Sequence, residues 1–270
     1  CSPFLYFFGI ILLLCVFFIG DYGGGAKRWL ELGTFRFQPS EIMKVGLIMF
    51  LSIYYDWLKP SNTSKLFWVI IPLFLIMLPA ALIIPQPDLG TGTIIIMTGF
   101  TMMFAAGVHF IYFIIIISLI PAFLALIFFS RGTNWQLVTD YQFNRIDTFL
   151  NPEKDPLGDG YQITQSKIAL GSGGFEGKGF MQGSQSQLDF LPEKHTDFIF
   201  TLFSEEFGFV GSSFLLIIYA IIVYRIILIG SLSRSYFAKI FCYSFGSAIF
   251  VFITINMFMV LGMLPIVGSP

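Results

Sequence analysis

Long apolar stretches are the sequence feature that most restricts how this chain can fold. Seven of them are long enough, or nearly so, to cross the bilayer's hydrocarbon core, which takes about 20 residues of helix. They lie at 4–20, 42–58, 66–85, 91–108, 110–129, 198–230 and 236–264. Because hydrocarbon offers no hydrogen-bond partners, a spanning segment has to satisfy its own backbone as a helix or in a closed barrel. The pattern predicts an all-α, polytopic transmembrane helical bundle.

The charge content agrees with a membrane location. Only 11% of the residues are charged, whereas about a quarter are charged in an average soluble domain. Most of the exterior therefore has to face lipid rather than water. The formal net charge of -1 provides no broad basic surface for phosphates, so we expect no nucleic acid partner. The three cysteines lack the spacing of a zinc, redox or disulfide motif.

Two polar stretches interrupt the apolar pattern, a short one at 21–40 and a long one at 130–196. Seven spans place both stretches on the same side of the membrane. The lysines and arginines of the short loops favour the opposite side as the cytoplasmic one. We therefore predict that 130–196 is one large extracytoplasmic loop, with an interfacial helix at about 161–170.

Glu41 and Lys44 occur where the second apolar stretch begins. An ionisable side chain near the bilayer centre costs at least about 2.5 to 3.5 kcal/mol, so it is usually paired. Two interpretations stay open, an ion pair inside the membrane and a boundary pair that helps to start the helix. Since residues three apart share a helix face, both interpretations predict that the two side chains lie close together.

Asp88 lies in PQPDLGTGT, between the third and fourth apolar stretches. Prolines end the preceding helix, and an aspartate here is well placed to cap the next one. A carboxylate at a membrane mouth can also bind a cation or a sugar hydroxyl. The sequence favours the cap and leaves the second role open.

A cluster of ionisable residues precedes the sixth apolar stretch. It consists of Glu193, Lys194, His195 and Asp197, in LPEKHTDFIF. Asp197 is either a helix cap or, if it faces a cavity of low dielectric, a general base with raised proton affinity. His195 is more typical of a hydrogen-bonded structural residue than of a catalyst.

Glu205 and Glu206 interrupt the same stretch two turns further on. Two adjacent carboxylates cannot both face lipid at low cost, so at least one has to point into the bundle. We interpret them mainly as structural partners of a buried lysine, arginine or backbone donor, and a direct functional role stays open.

The glycine-rich sequence GSGGFEGKG does not match a phosphate-binding loop. A Walker motif would need glycine in place of Ser172 and serine or threonine in place of Gly179. We interpret the sequence as a flexible turn, and an approach of its backbone amides to a pyrophosphate stays open. Sequence motifs of zinc hydrolases and serine hydrolases do not occur.

Four long motifs resemble the SEDS family (shape, elongation, division and sporulation). They are GGGAKRWLELGTFRFQPSEIMK, PQPDLGTGT, DPLGDGYQITQSKIALGSGG and QSQLDFLPEKHTDFIFTLFSEEFG, in the family's order. The resemblance covers essentially the whole chain and is closer to the elongation members than to the division members. It implies a single SEDS-type membrane domain over 1–270. Its spans would correspond to helices three to nine of a ten-helix family, with two helices expected before them and one after.

The resemblance implies a peptidoglycan glycosyltransferase that polymerises lipid II, with Asp197 as the catalytic base. It suggests Lys27, Arg28 and Lys44 as positive charges for the departing pyrophosphate, with Glu41 holding Lys44. Further substrate-binding or supporting residues would be Asp88, Glu193, Lys194 and His195. A divalent cation, Mg²⁺ or Mn²⁺, at Asp197 is also compatible with the family.

The partners implied by the resemblance are lipid II, undecaprenyl-linked glycan, a class B penicillin-binding protein and the elongation complex. The implied location is the bacterial inner membrane, with the active site on the extracytoplasmic side. Two other functions stay open at the level of sequence. Intramembrane charges suit a lipid II flippase or transporter equally well, and a noncatalytic scaffold for the penicillin-binding protein would need no catalytic base.

Overall fold

The computed structural model describes residues 2–23, 26–32, 35–86, 88–133, 136–137, 140–151, 158–183 and 198–265. Within these ranges the chain forms nine α-helices, three short β-strands and a 3-10 turn at Pro60–Asn62. The helices are α1 Ser2–Ile19, α2 Pro39–Trp57, α3 Leu66–Ile83, α4 Leu89–Ala105, α5 Phe110–Ser130, α6 Asp140–Leu150, α7 Asp159–Ser172, α8 Ile199–Leu232 and α9 Tyr236–Val260. The strands are β1 Asp21–Gly23, β2 Ala26–Leu32 and β3 Phe35–Phe37.

Each of the seven predicted spans coincides with a helix of the structure, namely α1 to α5, α8 and α9. Among the described residues, four helices are long and apolar enough to cross a membrane unaided: α3, α5, α8 and α9. The apolar parts of α1 and α4, Pro3–Ile19 and Gly90–Ala105, fall just below that length. The predicted fold class is confirmed, and the chain is a polytopic helical membrane protein.

The polar stretch at 21–40 contains a small sheet that the sequence analysis did not predict. The three strands pair in the order β1-β2-β3, and both pairings are antiparallel. Aromatic residues of the kind enriched in strands, among them Trp29 in β2 and Phe37 in β3, recur through this stretch. β1 and β3 are only three residues long, and the seven residues of β2, AKRWLEL, do not alternate regularly between apolar and polar, so no strand pattern is visible in the sequence.

Contacts divide the chain into two compact units. Unit 1 comprises Cys1–Ile116 and Val223–Phe252, and unit 2 comprises Ile117–Ile222 and Ile253–Pro270. The prediction that 1–270 form a single membrane domain stays a prediction.

Close helix contacts build the core of unit 1. A Cβ added to Gly46 of α2 would lie 3.1 Å from the Leu5 carbonyl oxygen of α1, and one added to Gly99 of α4 would lie 2.5 Å from the Ile76 side chain of α3. Small residues allow helix backbones to approach in this way where the hydrophobic effect between helices is weak. Two glycines therefore set the spacing of two helix pairs.

The core of unit 2 joins α7 to the beginning of α8 and the end of α9. Its buried side chains are Ile163, Phe198, Phe200, Met259 and Val260. The Ser166 hydroxyl lies 3.0 Å from that of Thr201 and donates a hydrogen bond to the Val260 carbonyl at 3.2 Å. Helix α7 confirms the helix predicted at about 161–170, whereas α6 was not predicted.

Candidate functional site

The structure places four of the nine predicted site residues with described side chains, all of them in unit 1: Arg28, Glu41, Lys44 and Asp88. Lys27 is described only as part of the backbone of β2. The other four, Glu193, Lys194, His195 and Asp197, lie outside the described residues.

Glu41 and Lys44 form an ion pair at the beginning of α2. The Lys44 Nζ atom lies 2.7 Å from Glu41 Oε1, and Lys44 is 18% exposed against 49% for Glu41. The same Nζ atom lies 5.6 Å from the centroid of the Phe252 ring, within reach of a cation–π attraction. The predicted proximity of the two side chains is confirmed, and the ammonium is the more enclosed partner.

Asp88 caps α4. Its Oδ1 atom accepts a hydrogen bond from the Thr91 backbone N–H at 3.0 Å, and its Oδ2 atom accepts one from Gln38 Nε2 at 2.7 Å. The carboxylate is 1% exposed. The predicted cap is therefore confirmed. The contribution of Gln38 was missed, because nothing in the sequence around it indicates a partner fifty residues away.

The charge state of Asp88 is set by opposing effects. Burial, the largest of them, raises the pKa of the Asp88 carboxyl above its usual range. The Thr91 N–H hydrogen bond lowers the pKa of Asp88, and so do the positive charges of Arg28 and Lys44. In unit 1, the positive charges of two predicted site residues, Arg28 and Lys44, thus lower the pKa of a third, Asp88.

We expect Asp88→Ala to lower the stability of the intact protein by about 1 to 2 kcal/mol, because it removes the cap of a buried helix end. Asp88→Asn should lose less, since its amide oxygen keeps the Thr91 contact and a turned Gln38 amide can accept from its nitrogen. Because the pKa of Asp88 is raised in the fold, wild type should lose stability relative to Asp88→Asn as the pH rises through that pKa. Thermal unfolding in detergent at several pH values measures both effects. Equal losses of stability for Asp88→Ala and Asp88→Asn would show that the stability depends on the carboxylate charge rather than on the cap.

In unit 2, Glu205 is a fully buried carboxylate with a cationic partner. It is 0% exposed, and its Oε1 atom lies 2.6 Å from Lys178 Nζ. The Ser172 hydroxyl donates to the same oxygen at 3.4 Å. The interpretation of this carboxylate as the structural partner of a lysine is confirmed. Lys178 itself belongs to the glycine-rich sequence GSGGFEGKG, for which the sequence predicts only a flexible turn.

Helix α8 is broken at Gly208, which has φ 64° and ψ -163°. We call residues 199–207, before the break, the short helical segment, and residues 171–183 the glycine-rich segment. Beyond the break, the N–H groups of Phe209 and Val210 donate to the Gly174 and Phe175 carbonyls, at 3.0 and 3.2 Å.

The glycine-rich segment also donates hydrogen bonds to the carbonyl groups before the break. The Glu205 carbonyl accepts from the Lys178 N–H at 3.0 Å, and the Glu206 carbonyl accepts from the Gly179 N–H at 2.9 Å. In a continuous helix these two carbonyls would accept from the N–H groups of residues 209 and 210. The glycine-rich segment therefore replaces the helical hydrogen bonds that the break removes.

The described residues of unit 2 also line a mainly apolar, partly open cavity of about 310 Å³ beside these two segments. Its polar lining is limited to serine hydroxyls and backbone. The lining residues are Leu170, Gly171, Gly174, Phe200, Ser204, Phe209, Ser212, Ser213, Leu216, Met257 and Leu261. A cavity with this lining suits a hydrocarbon chain better than a sugar.

No group of three or more histidine, cysteine, aspartate or glutamate side chains that could hold a metal ion occurs among the described residues. The predicted cation position at Asp197 lies outside those residues. The cation stays a prediction.

Comparisons with known proteins cover the whole chain. The model of the FTSW_RODA_SPOVE family, described as cell cycle protein, matches residues 1–270. "Peptidoglycan glycosyltransferase MrdB" of Escherichia coli (strain K12) is 41% identical over 273 residues, which cover 100% of this chain and 70% of that protein.

Solved structures agree in fold. A peptidoglycan synthase complex that coordinates polymerization and crosslinking contains a chain with a TM-score of 0.76 and 25% identity, over 99% of this chain and 72% of that one. The rod shape determining protein RodA of Thermus thermophilus matches with a TM-score of 0.63 and 21% identity, over 96% of this chain and 66% of that one. By the family model and the 41% identity, the chain belongs to the FTSW_RODA_SPOVE family of cell cycle proteins.

Proposed function

We propose that this chain is a peptidoglycan glycosyltransferase, which polymerises lipid II into glycan strands during cell elongation and rod-shape maintenance. The observation that carries the proposal is the 41% identity, along the entire chain, to the E. coli protein named for that activity. The likeness extends through the motif that contains Asp197, because the aligned region covers 100% of this chain.

Asp197 acts in this proposal as the general base. The 4-hydroxyl oxygen of the lipid II acceptor attacks the anomeric carbon of the growing strand, and the bond from that carbon to the pyrophosphate oxygen breaks. The hydroxyl proton passes to the Asp197 carboxylate, and undecaprenyl pyrophosphate leaves. A sugar hydroxyl is a poor nucleophile until a base takes its proton, a contribution of about 10² to 10⁴ in rate.

Positive charge is needed as the pyrophosphate departs. We assign this role to Lys27, Arg28 and Lys44, with the 2.7 Å ion pair to Glu41 holding Lys44 in place. A divalent cation, Mg²⁺ or Mn²⁺, bound through Asp197 would supply further positive charge to the leaving group.

The remaining predicted residues have supporting roles in the proposal. Asp88 organises the beginning of α4 through its buried cap. Glu193, Lys194 and His195 stand within four residues of Asp197 in sequence and are assigned to substrate binding. The apolar cavity of unit 2 offers space for part of an isoprenoid chain.

We further propose that the protein lies in the bacterial inner membrane with its active site on the extracytoplasmic side. A class B penicillin-binding protein would crosslink the strands that it makes, within the elongation complex. The similarity to a chain of a synthase complex that coordinates polymerization and crosslinking supports this partner. The lysines and arginines of the short loops support the orientation.

The test uses the intact protein, purified in detergent, with lipid II as the only substrate. We expect glycan polymer of increasing length on a gel, formed without a penicillin-binding protein. A parallel assay in vesicles follows movement of lipid II between the leaflets. Lipid II movement without polymer would favour a flippase, and partner binding with neither activity would favour a scaffold.

A further inference from the structure

We propose that Glu205 is a positioning residue for Asp197, which acts through its ion pair with Lys178. The proposal rests on the proposed function and adds to it a residue that fixes the base from within the helix that follows it. It is carried by three features of unit 2: the break at Gly208, the hydrogen bonds that replace the helical ones there, and the surroundings of the Glu205 carboxylate.

The break separates the short helical segment from the rest of α8. At Gly208 the backbone leaves helical geometry, and the N–H groups of Phe209 and Val210 bond to the glycine-rich segment. Two of the backbone hydrogen bonds that would fix the short helical segment to the long apolar part of α8 are therefore replaced, while the Ser212 hydroxyl oxygen lies 2.8 Å from that of Ser204 across the break. The C-terminal end of the short helical segment is held by the glycine-rich segment, through backbone bonds to the Glu205 and Glu206 carbonyls.

The Glu205 side chain adds a second attachment between the same two segments. Its Oε1 atom forms an ion pair with Lys178 Nζ at 2.6 Å and accepts a hydrogen bond from the Ser172 hydroxyl at 3.4 Å. Gly183 lies beside the second carboxylate oxygen, since a Cβ added to Gly183 would be only 2.8 Å from Oε2. The glycine-rich segment thus surrounds one buried carboxylate from Ser172 to Gly183.

This arrangement connects Glu205 to Asp197 along the chain. Gly183 is the last described residue before 184–197, and Phe198, which is 0% exposed, is the first after it. The chain enters 184–197 beside the Glu205 carboxylate and leaves it at the beginning of the short helical segment. The two described residues that flank 184–197 therefore lie at the ends of the two segments that the Glu205–Lys178 ion pair joins.

A carboxylate with this role differs from one that only stabilises the fold. Loss of the ion pair would let the short helical segment shift by a fraction of a helical turn without unfolding it, because the backbone hydrogen bonds remain. A displacement of about 1 Å at a reacting group can cost about 10²-fold in rate. The turnover number should then fall while lipid II binding, made by other residues, is kept.

The experiment compares kcat and KM for lipid II polymerisation among variants of the intact protein. For Glu205→Gln and for Lys178→Met we expect kcat to fall about 10-fold to 10²-fold, with KM within about twofold of wild type. Lys178→Arg keeps the charge and should restore kcat to within about threefold of wild type. Glu206→Gln is the matched control, since it makes the same change at the neighbouring, partly exposed side chain, and should keep kcat within about twofold.

A variant that fails to fold would not decide the question, so the double variant Glu205→Gln/Lys178→Met is included. It removes both charges of the ion pair together and should therefore fold while keeping the low kcat. Hydrogen exchange should be faster at 199–207 in this variant and unchanged in α9. Wild-type kcat in Glu205→Gln or in the folded double variant would overturn the positioning role and leave the proposed function intact. Absence of polymer from wild type would instead overturn the proposed function.

Discussion

Intact protein that carries Asp197→Asn should polymerise lipid II at least about 10²-fold more slowly than wild type. Asparagine has nearly the shape of aspartate but cannot take the proton of the acceptor hydroxyl. The initial rate of polymer formation at saturating lipid II measures the loss directly. Because size is conserved, we expect the variant to fold and to bind lipid II as wild type does.

Glu176→Gln is a suitable control for Asp197→Asn. It makes the same carboxylate-to-amide change at an exposed position of the glycine-rich segment, and it should leave the rate within about twofold of wild type. Full activity of Asp197→Asn would contradict the general-base role. In that case the other predicted carboxylates, Glu41, Asp88 and Glu193, would have to be tested in its place.

The second large effect is expected from Gly208→Ala, which should prevent stable folding or greatly lower the melting temperature. At φ 64° and ψ -163°, Gly208 occupies a conformation that is essentially restricted to glycine, and another residue pays about 1 to 3 kcal/mol there. An added Cβ would also lie 2.3 Å from the Gly177 nitrogen and 2.7 Å from the Phe175 carbonyl oxygen. The added methyl group would push the glycine-rich segment away from Gly208, and the hydrogen bonds that this segment supplies there would be lost.

Gly171→Ala provides the matched control. Gly171 lies in α7, and a Cβ added to it would meet no atom within 4 Å. This change should leave stability unaltered or raise it by about 0.5 to 1 kcal/mol, since alanine favours a helix over glycine. Thermal unfolding and size-exclusion profiles in detergent compare the two variants. A Gly208→Ala protein that melts at the wild-type temperature would show that the break is not required.

The helices were predictable because the membrane imposes a simple local rule. A stretch of about 20 apolar residues has few alternatives in hydrocarbon, so 66–85 and 236–264 correspond closely to α3 and α9. Local chemistry also located the Asp88 cap and the Glu41–Lys44 pair, whose partners lie three residues away.

Features that depend on distant partners could not be predicted. The sequence indicated that one of Glu205 and Glu206 points inward, but Lys178, its partner, lies 27 residues earlier in the chain. The break at Gly208 was not predicted either, because the segment that satisfies its backbone comes from 174–179. The hydrogen bond from Gln38 to Asp88 could not be predicted either, because fifty residues separate the two.

The assignment of Asp197 as the catalytic base rests neither on a local sequence rule nor on a contact between distant residues. Composition and spacing allowed Asp197 to be a helix cap or a base, and only the resemblance of HTDFIF and its neighbouring motifs to the family favoured the base. The family itself is established by the comparisons. The role of Asp197 stays a prediction, because that residue lies outside the part of the chain that the structure describes.

The most direct measurement is a structure of the intact protein with a lipid II analogue in the acceptor position. We predict that an Asp197 carboxylate oxygen lies about 2.6 to 3.2 Å from the acceptor 4-hydroxyl, directly or through one water. An acceptor hydroxyl within that distance of a different carboxylate, with Asp197 out of reach, would contradict it.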